Sequence, residues 1–250
     1  MTTSDDAIQI NLNFWQGEDQ SRINTLKLLL TGYSNNAIAS ELSFSLKNIE
    51  SIISKLFRRC GIITRGPNSS LINPRAKLLV HGVSNDWLRY QILENSASLD
   101  FLTRNQYLTL VLSAAGCSNR AIADFLCISS KTVESRLNSL FHQFAINMQF
   151  DRQANPRMKL IVSAIRRGFI NNEAIGHAAS LLDVEKWQEV LSNREQIKDE
   201  FLRYQLGVNK SHILPAESNF SLIYNKAVQV KEFNPKENSY IQAGFDGNWG

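Results

Sequence analysis

Few of the residue types that perform chemistry occur in this 250-residue chain at spacings that would let them act together. The three cysteines, Cys60, Cys117 and Cys127, form no Cys-x-x-Cys pair and no even framework. They read as small buried hydrophobes in a reducing compartment. His81, His142, His177 and His212 are scattered, none at metal-ligand spacing from a Cys or Asp, so no metal site is expected. A paired catalytic carboxylate, a Gly-rich phosphate loop and a Gly-x-Ser-x-Gly elbow are all missing, and Asp199-Glu200 reads as a solvated helix face. No catalytic residue and no cofactor is implied. What remains is positive charge. Residues 101–172 hold nine Lys and Arg against three Asp and Glu, a balance of +6, while residues 1–100 balance at +1 and residues 173–250 at −3. A basic middle between neutral and acidic flanks points to a surface that meets a polyanion. Within it, Ser118, Asn119 and Arg120 open an apolar-periodic segment. At a helix N-terminus, free backbone N–H groups and the helix dipole favour a phosphate at such residues.

The elements that would position these residues come from an internal repeat. Gly32–Ile62 aligns without a gap on Gly116–Ile146 at an offset of 84, with 14 of 31 positions identical. After a two-residue slip the match resumes, Asn73-Pro-Arg-Ala-Lys-Leu-Leu-Val80 against Asn155-Pro-Arg-Met-Lys-Leu-Ile-Val162. Each copy reads as four short helices. In the second, Thr103 caps the first helix, Gly116 ends it and Ser118 caps a second of barely two turns. Cys127-Ile128 forms a tight turn. Ser129 then caps a third helix to about Phe144, with Val133, Leu137, Leu140, Phe141 and Phe144 on a buried stripe. Asn155-Pro156 opens a fourth helix through Arg167. The first copy follows the same plan, with Ser45 capping its third helix and Asn73-Pro74 opening its fourth, from Pro74 to about Gly82. The expected fold class is all-α.

Two short helices joined by a tight turn, the second amphipathic with a polar outer face, make a helix-turn-helix. The second of the pair fits the major groove, whose edges distinguish all four base pairs. The string Leu102-Thr103, then Gly116-Cys-Ser-Asn-Arg-Ala-Ile-Ala123, then Ile128-Ser-Ser-Lys-Thr-Val133 and Arg136 resembles the LuxR-type (GerE-like) helix-turn-helix, closely over residues 102–170 and more loosely over 20–85. That resemblance implies sequence-specific DNA binding in transcriptional control, chiefly by the third helix of the second copy. It assigns Lys131, Ser135, Arg136 and Asn138 to the groove and flanking phosphates, with Thr132 near the helix start. Val133 lies between two roles, touching a thymine methyl or joining the buried stripe. Gln106 replaces the family's glutamate in the first helix.

The first copy departs further. Asn48 stands in place of the threonine and Ile52 in the place of Arg136, at what the resemblance makes a groove-facing position. Lys47, Asn48, Ser51 and Lys55 are its candidate DNA contacts, and Lys47, Lys55, Arg58 and Arg59 keep it basic. Such a unit positions rather than specifies, or serves as a docking surface. The alternative to DNA binding is accordingly a helix-turn-helix module that docks on another regulator or on RNA polymerase.

The chain thus divides into an N-terminal segment (1–19), a first unit (20–90), a linker (91–101), a second unit (102–172), a C-terminal helical region (173–206) and a tail (207–250). Residues 183–206 read as one helix capped by Asp183 and stopped by Gly207, packing on its own domain or serving self-association. The aromatics of the tail, among them Phe220, Tyr240 and Trp249, fit either a wrapping segment or a partner-binding peptide. The acidic start, Thr3-Ser-Asp-Asp6, is wrong for a secretion signal, and no apolar run approaches the roughly 20 residues of a membrane helix. A cytoplasmic protein is expected. Two fourth helices in one chain suggest an internal pair, with one molecule spanning two adjacent half-sites. The competing arrangement is a homodimer through residues 183–206.

Overall fold

The computed structural model describes residues 8–62, 64–90, 102–146 and 154–212, with side chains as far as residue 203. In the first copy, helices α1 (Gln20–Leu30), α2 (Asn35–Glu41), α3 (Leu46–Arg59) and α4 (Pro74–Ser84) each begin on a capping residue, respectively Asp19, Ser34, Ser45 and Asn73. In the second, α5 (Arg104–Ala114), α6 (Asn119–Leu126), α7 (Ser130–Gln143) and α8 (Pro156–Arg166) begin on Thr103, Ser118, Ser129 and Asn155. Each cap oxygen accepts a backbone N–H from the first turn, and losing one such cap typically costs about 1 kcal/mol. Thr103 and Gln106 close a reciprocal capping box, each side chain accepting a backbone N–H of the other residue. The fold is all-α apart from one small sheet.

The tight turn of each helix-turn-helix contains one left-handed residue, Ser43 (φ +55°) in the first copy and Cys127 (φ +54°) in the second. Cys127 is therefore exposed rather than buried, while Cys60 and Cys117 are buried as expected, with thiols pushed up to about 11 by desolvation. Below the turns, α3 buries Ile49, Ile52, Ile53, Leu56 and Phe57, and α7 buries Val133, Leu137, Leu140 and Phe141. One stripe of each third helix is spent on the core and the other is left outside.

Three features lie beyond the repeat plan. Strand β1 (Ile8–Ile10) pairs antiparallel with β2 (Leu88–Tyr90), Ile8 opposite Tyr90 and Ile10 opposite Leu88. A 3-10 turn, Leu12–Trp15, then seats Trp15 edge-on against Trp87 with ring centroids 5.0 Å apart. The C-terminal region is not one helix but three: α9 (Asn172–Leu181), α10 (Trp187–Ser192) and α11 (Arg194–His212), broken at Asn193. Asp183 precedes α10 and accepts the Glu185 N–H at 2.9 Å. Gly207 does not stop α11, which runs through it. A single glycine inside a helix costs about 1 kcal/mol, too little to end one alone. The tail beyond residue 212 lies outside the described residues.

All described side chains belong to one unit, Met1–Val208, within which the two copies hold one another reciprocally. The Asn73 N–H donates to the Gly116 carbonyl at 2.8 Å, and the Asn155 N–H donates to the Gly32 carbonyl at 2.6 Å. Isolated antiparallel bridges join Ile72 to Cys117 and Tyr33 to Ala154. The fourth helix of each copy thus starts on the first-to-second helix turn of the other. A contact of i with j matched by j with i is the signature of an approximate two-fold relation. Helix α9 packs on both α4 and α5, further tying the copies together. Among the described residues no helix is long and apolar enough to cross a membrane.

Candidate nucleic-acid interface

The outer face of α7 presents Lys131, Thr132, Ser135 and Asn138, all exposed, with Arg136 half-buried at the edge of the apolar stripe. Thr132 is tied to the helix start, its Oγ1 2.8 Å from the Ser129 Oγ. Glu134 is the acidic residue of this face. Val133 is fully buried, which assigns it to the core rather than to a base.

On α3 the corresponding face presents Lys47, Asn48, Ser51 and Lys55, again all exposed, together with Ser54, Arg58 and Glu50. Ile52 is the correction here. The sequence register placed it in the groove, but it is only 7% exposed and belongs to the core. Positions 52 and 136 sit at the rim of the buried stripe. The isoleucine there turns inward, whereas the arginine stays half-buried, as suits a side chain with an apolar stem and a charged head. Arg59 is also withdrawn from the candidate surface. Its guanidinium donates to Glu18 Oε1 at 2.5 Å and to the Phe14 carbonyl at 2.8 Å, and it lies over the Trp15 ring at 5.3 Å. Among the described residues no ion pair holds Lys47, Lys55, Arg58, Lys131 or Arg136.

The start of α6 is used differently from the sequence expectation. The Ser118 Oγ accepts the Ala121 N–H and donates to the Ser70 carbonyl at 2.6 Å, while the Ser118 N–H donates to the Leu71 carbonyl. Asn119 Oδ1 accepts a guanidinium N–H from Arg157 at 2.8 Å. Of the three residues expected to meet a phosphate, Arg120 is the exposed one.

Arg157 and its counterpart Arg75 were missed as site-forming residues. Arg157 reaches Asn119, Ser113 and the Cys117 carbonyl; Arg75 reaches the Tyr33 carbonyl and Asn35. Each guanidinium clasps the fourth helix of its copy to the start of the second, which fixes the angle at which the helix-turn-helix is held. Burial brings both down to about 10, so both remain charged at neutral pH. The signal was present in the repeated Asn-Pro-Arg string, whose arginine repeats along with the cap.

Beside α6 lie α10 and α11. Phe125 of α6 contacts the rings of Trp187 and Phe201, with centroids 6.5 and 6.4 Å away. A polar cleft of about 420 Å³ runs between the Pro67–Leu71 loop, Arg120 and Asp124 of α6, and residues 184–191. Among the described residues no group of His, Cys, Asp and Glu is placed to hold a metal ion. In comparisons with known proteins, no family model, no curated protein and no solved structure matches the chain.

Proposed function

We propose that the protein is a sequence-specific DNA-binding regulator of transcription, working in the cytoplasm, that grips two neighbouring half-sites with α3 and α7. The observation that carries this reading is the outer stripe of each third helix. Both are 14-residue helices that follow a short turn with one left-handed residue, bury their apolar side and leave unpaired cations and hydrogen-bonding side chains in solvent. That is the form a major groove accepts. The reciprocal hold between copies supports an internal pair, so one molecule would suffice where other helix-turn-helix proteins need two. The resemblance to the LuxR-type motif agrees with the DNA-binding reading. Arg136 and Asn138 are the side chains assigned to base edges, and Lys47, Lys55 and Lys131 to phosphates.

The test is binding to labelled duplex DNA, first selected from a random pool, over a range of salt. Each phosphate neutralised steepens the log–log salt dependence by about 0.9, so two or more contacts imply a loss of at least about tenfold between 50 and 200 mM. Sedimentation should give one chain per selected duplex. Failure to bind any duplex at low salt, or a salt-insensitive affinity, would sink the DNA reading in favour of docking on RNA polymerase or another regulator.

A further inference from the structure

Resting on the DNA reading above, we infer that the first unit supplies most of the phosphate grip, because carboxylates carried by residues 183–200, on and before α10 and on the first turns of α11, shield the flank of the second. The two copies differ at one position that decides where those helices sit. Position 125 is a phenylalanine, buried in α6 beneath Trp187 and Phe201. Its counterpart at the 84-residue offset is Glu41, exposed on α2. A seat for an aromatic pair exists on the second unit, and the first unit has a charge in its place. Trp187, Val190, Ile197 and Phe201 are all buried, so the two helices are fastened to the second unit and do not merely pass by it.

What the stretch around them brings beside the second unit is a set of carboxylates, with the balancing Arg203 and Lys210 further along α11. Residues 183–200 contain Asp183, Glu185, Glu189, Glu195, Asp199 and Glu200 against Lys186, Arg194 and Lys198. Asp199 lies 3.5 Å from the guanidinium of Arg104, at the start of α5. Glu185 and Glu189 line the same cleft as Arg120, together with Asp124 and one further cation, Lys186. A DNA backbone approaching Arg104 or Arg120 would have to displace or neutralise these carboxylates, and like charges facing across a contact disfavour it.

The first unit is the opposite case. Its third helix exposes Lys47, Lys55 and Arg58 against Glu50, where α7 exposes Lys131, with Arg136 half-buried, against Glu134. The places of Lys55 and Arg58 are taken in α7 by Ser139 and His142. The nearby Glu18 is already engaged by Arg22 and Arg59. Binding then divides between the copies. The first holds the backbone by charge, and the second, with Arg136 and Asn138, reads bases against an electrostatic handicap.

The full chain tests this in three forms compared with wild type on one selected duplex: Lys47→Gln/Lys55→Gln/Arg58→Gln, Lys131→Gln/Arg136→Gln, and Glu185→Gln/Glu189→Gln/Asp199→Asn. The first set should flatten the log–log salt slope by up to about 0.9 for each phosphate no longer neutralised, more than the second set does. The third should tighten binding several-fold at low salt, with the gain fading at high salt. If the first two sets flatten the slope equally, or if neutralising the carboxylates leaves affinity unchanged or weaker, the division of labour is wrong while DNA binding stands. If wild type binds no duplex, the function itself is misread. Far-UV circular dichroism on each form keeps misfolding from passing as weakened binding, and any form that departs from wild type is replaced by its single substitutions.

Discussion

The backbone N–H of Asn155 reaches across to the carbonyl of Gly32, 2.6 Å away, while Asn73 makes the same bond to Gly116 at 2.8 Å. Both asparagines also cap a fourth helix with their side chains. One residue therefore does two jobs in each copy: it starts a helix and binds that helix to the opposite copy. Both glycines have left-handed backbone, φ +92° at Gly32 and +90° at Gly116.

Space at these glycines is limited as well as backbone freedom. A Cβ at Gly32 would lie 3.0 Å from the backbone nitrogen of Lys159, and one at Gly116 would lie 2.7 Å from the Lys77 stem. Gly32→Ala and Gly116→Ala should each cost about 1–3 kcal/mol, from left-handed strain and crowding together. Gly32→Ala should cost more, because a lysine stem can swing aside and a helix backbone cannot. Urea denaturation ranks the two; neutral results, or the reverse order, would show that the junction is looser than described.

Ile52→Ala removes a core side chain and not a DNA contact. It should destabilise the protein by about 2–4 kcal/mol, as truncating a buried isoleucine typically does. Arg136→Ala should leave stability nearly unchanged and relax sequence preference at a cost of about 1–3 kcal/mol in specific binding. Thermal unfolding alongside binding to selected and scrambled duplexes separates the pair. A stable Ile52→Ala with altered preference would return residue 52 to the groove.

Asn119→Ala tests the clasp against the phosphate assignment. Losing the acceptor leaves part of the buried Arg157 guanidinium unsatisfied, and stability should fall by about 1–3 kcal/mol. The salt slope of DNA binding should stay where it is. If the slope instead flattens by about 0.9 at unchanged stability, Asn119 is a phosphate ligand after all.

Glu18 predicts an acid limb. The hydrogen bond from Arg22 is the main cause holding its carboxyl below the ordinary 4.5; burial opposes the shift and the bond from Arg59 adds to it. A carboxyl whose folded pKa lies below its unfolded one contributes stability that is complete above the unfolded value and is lost as pH falls through the folded one. Glu18→Gln should therefore be less stable than wild type near neutral pH, and the gap should close on acidifying below 4.5. Urea melts at several pH values measure it; a gap that stays constant into the acid range would show that Glu18 contributes by packing and not by charge.

Much of the helical plan was readable because it is written in local chemistry. Ser118, Ser129 and Asn155 cap where a short polar side chain can satisfy the orphan N–H groups of a helix start, and that requirement involves a few adjacent residues. The fate of Ile52 was not readable. A rim position is decided by side-chain length and by what lies beneath it, so aligning it with Arg136 fixed its place on the helix and left its direction open. Asn119 and Arg59 have partners that were unreadable for a related reason. Each is drawn inward by a partner far along the chain, Arg157 and Glu18, and a polar residue at a helix start looks the same whether a phosphate or a guanidinium will claim it. The break at Asn193 carried no glycine or proline to announce it.

The reciprocal junction has a further consequence for how such a protein can change. In a pair of identical subunits every substitution appears twice, so neither half can be altered without the other. Here the two halves are encoded separately and still held in the two-fold arrangement by Asn73 and Asn155. A mutation lands once. Glu41 and Phe125, or Ile52 and Arg136, could therefore drift apart while the junction persisted, and, under the proposed DNA-binding function, an asymmetric target sequence becomes as accessible to selection as a palindrome.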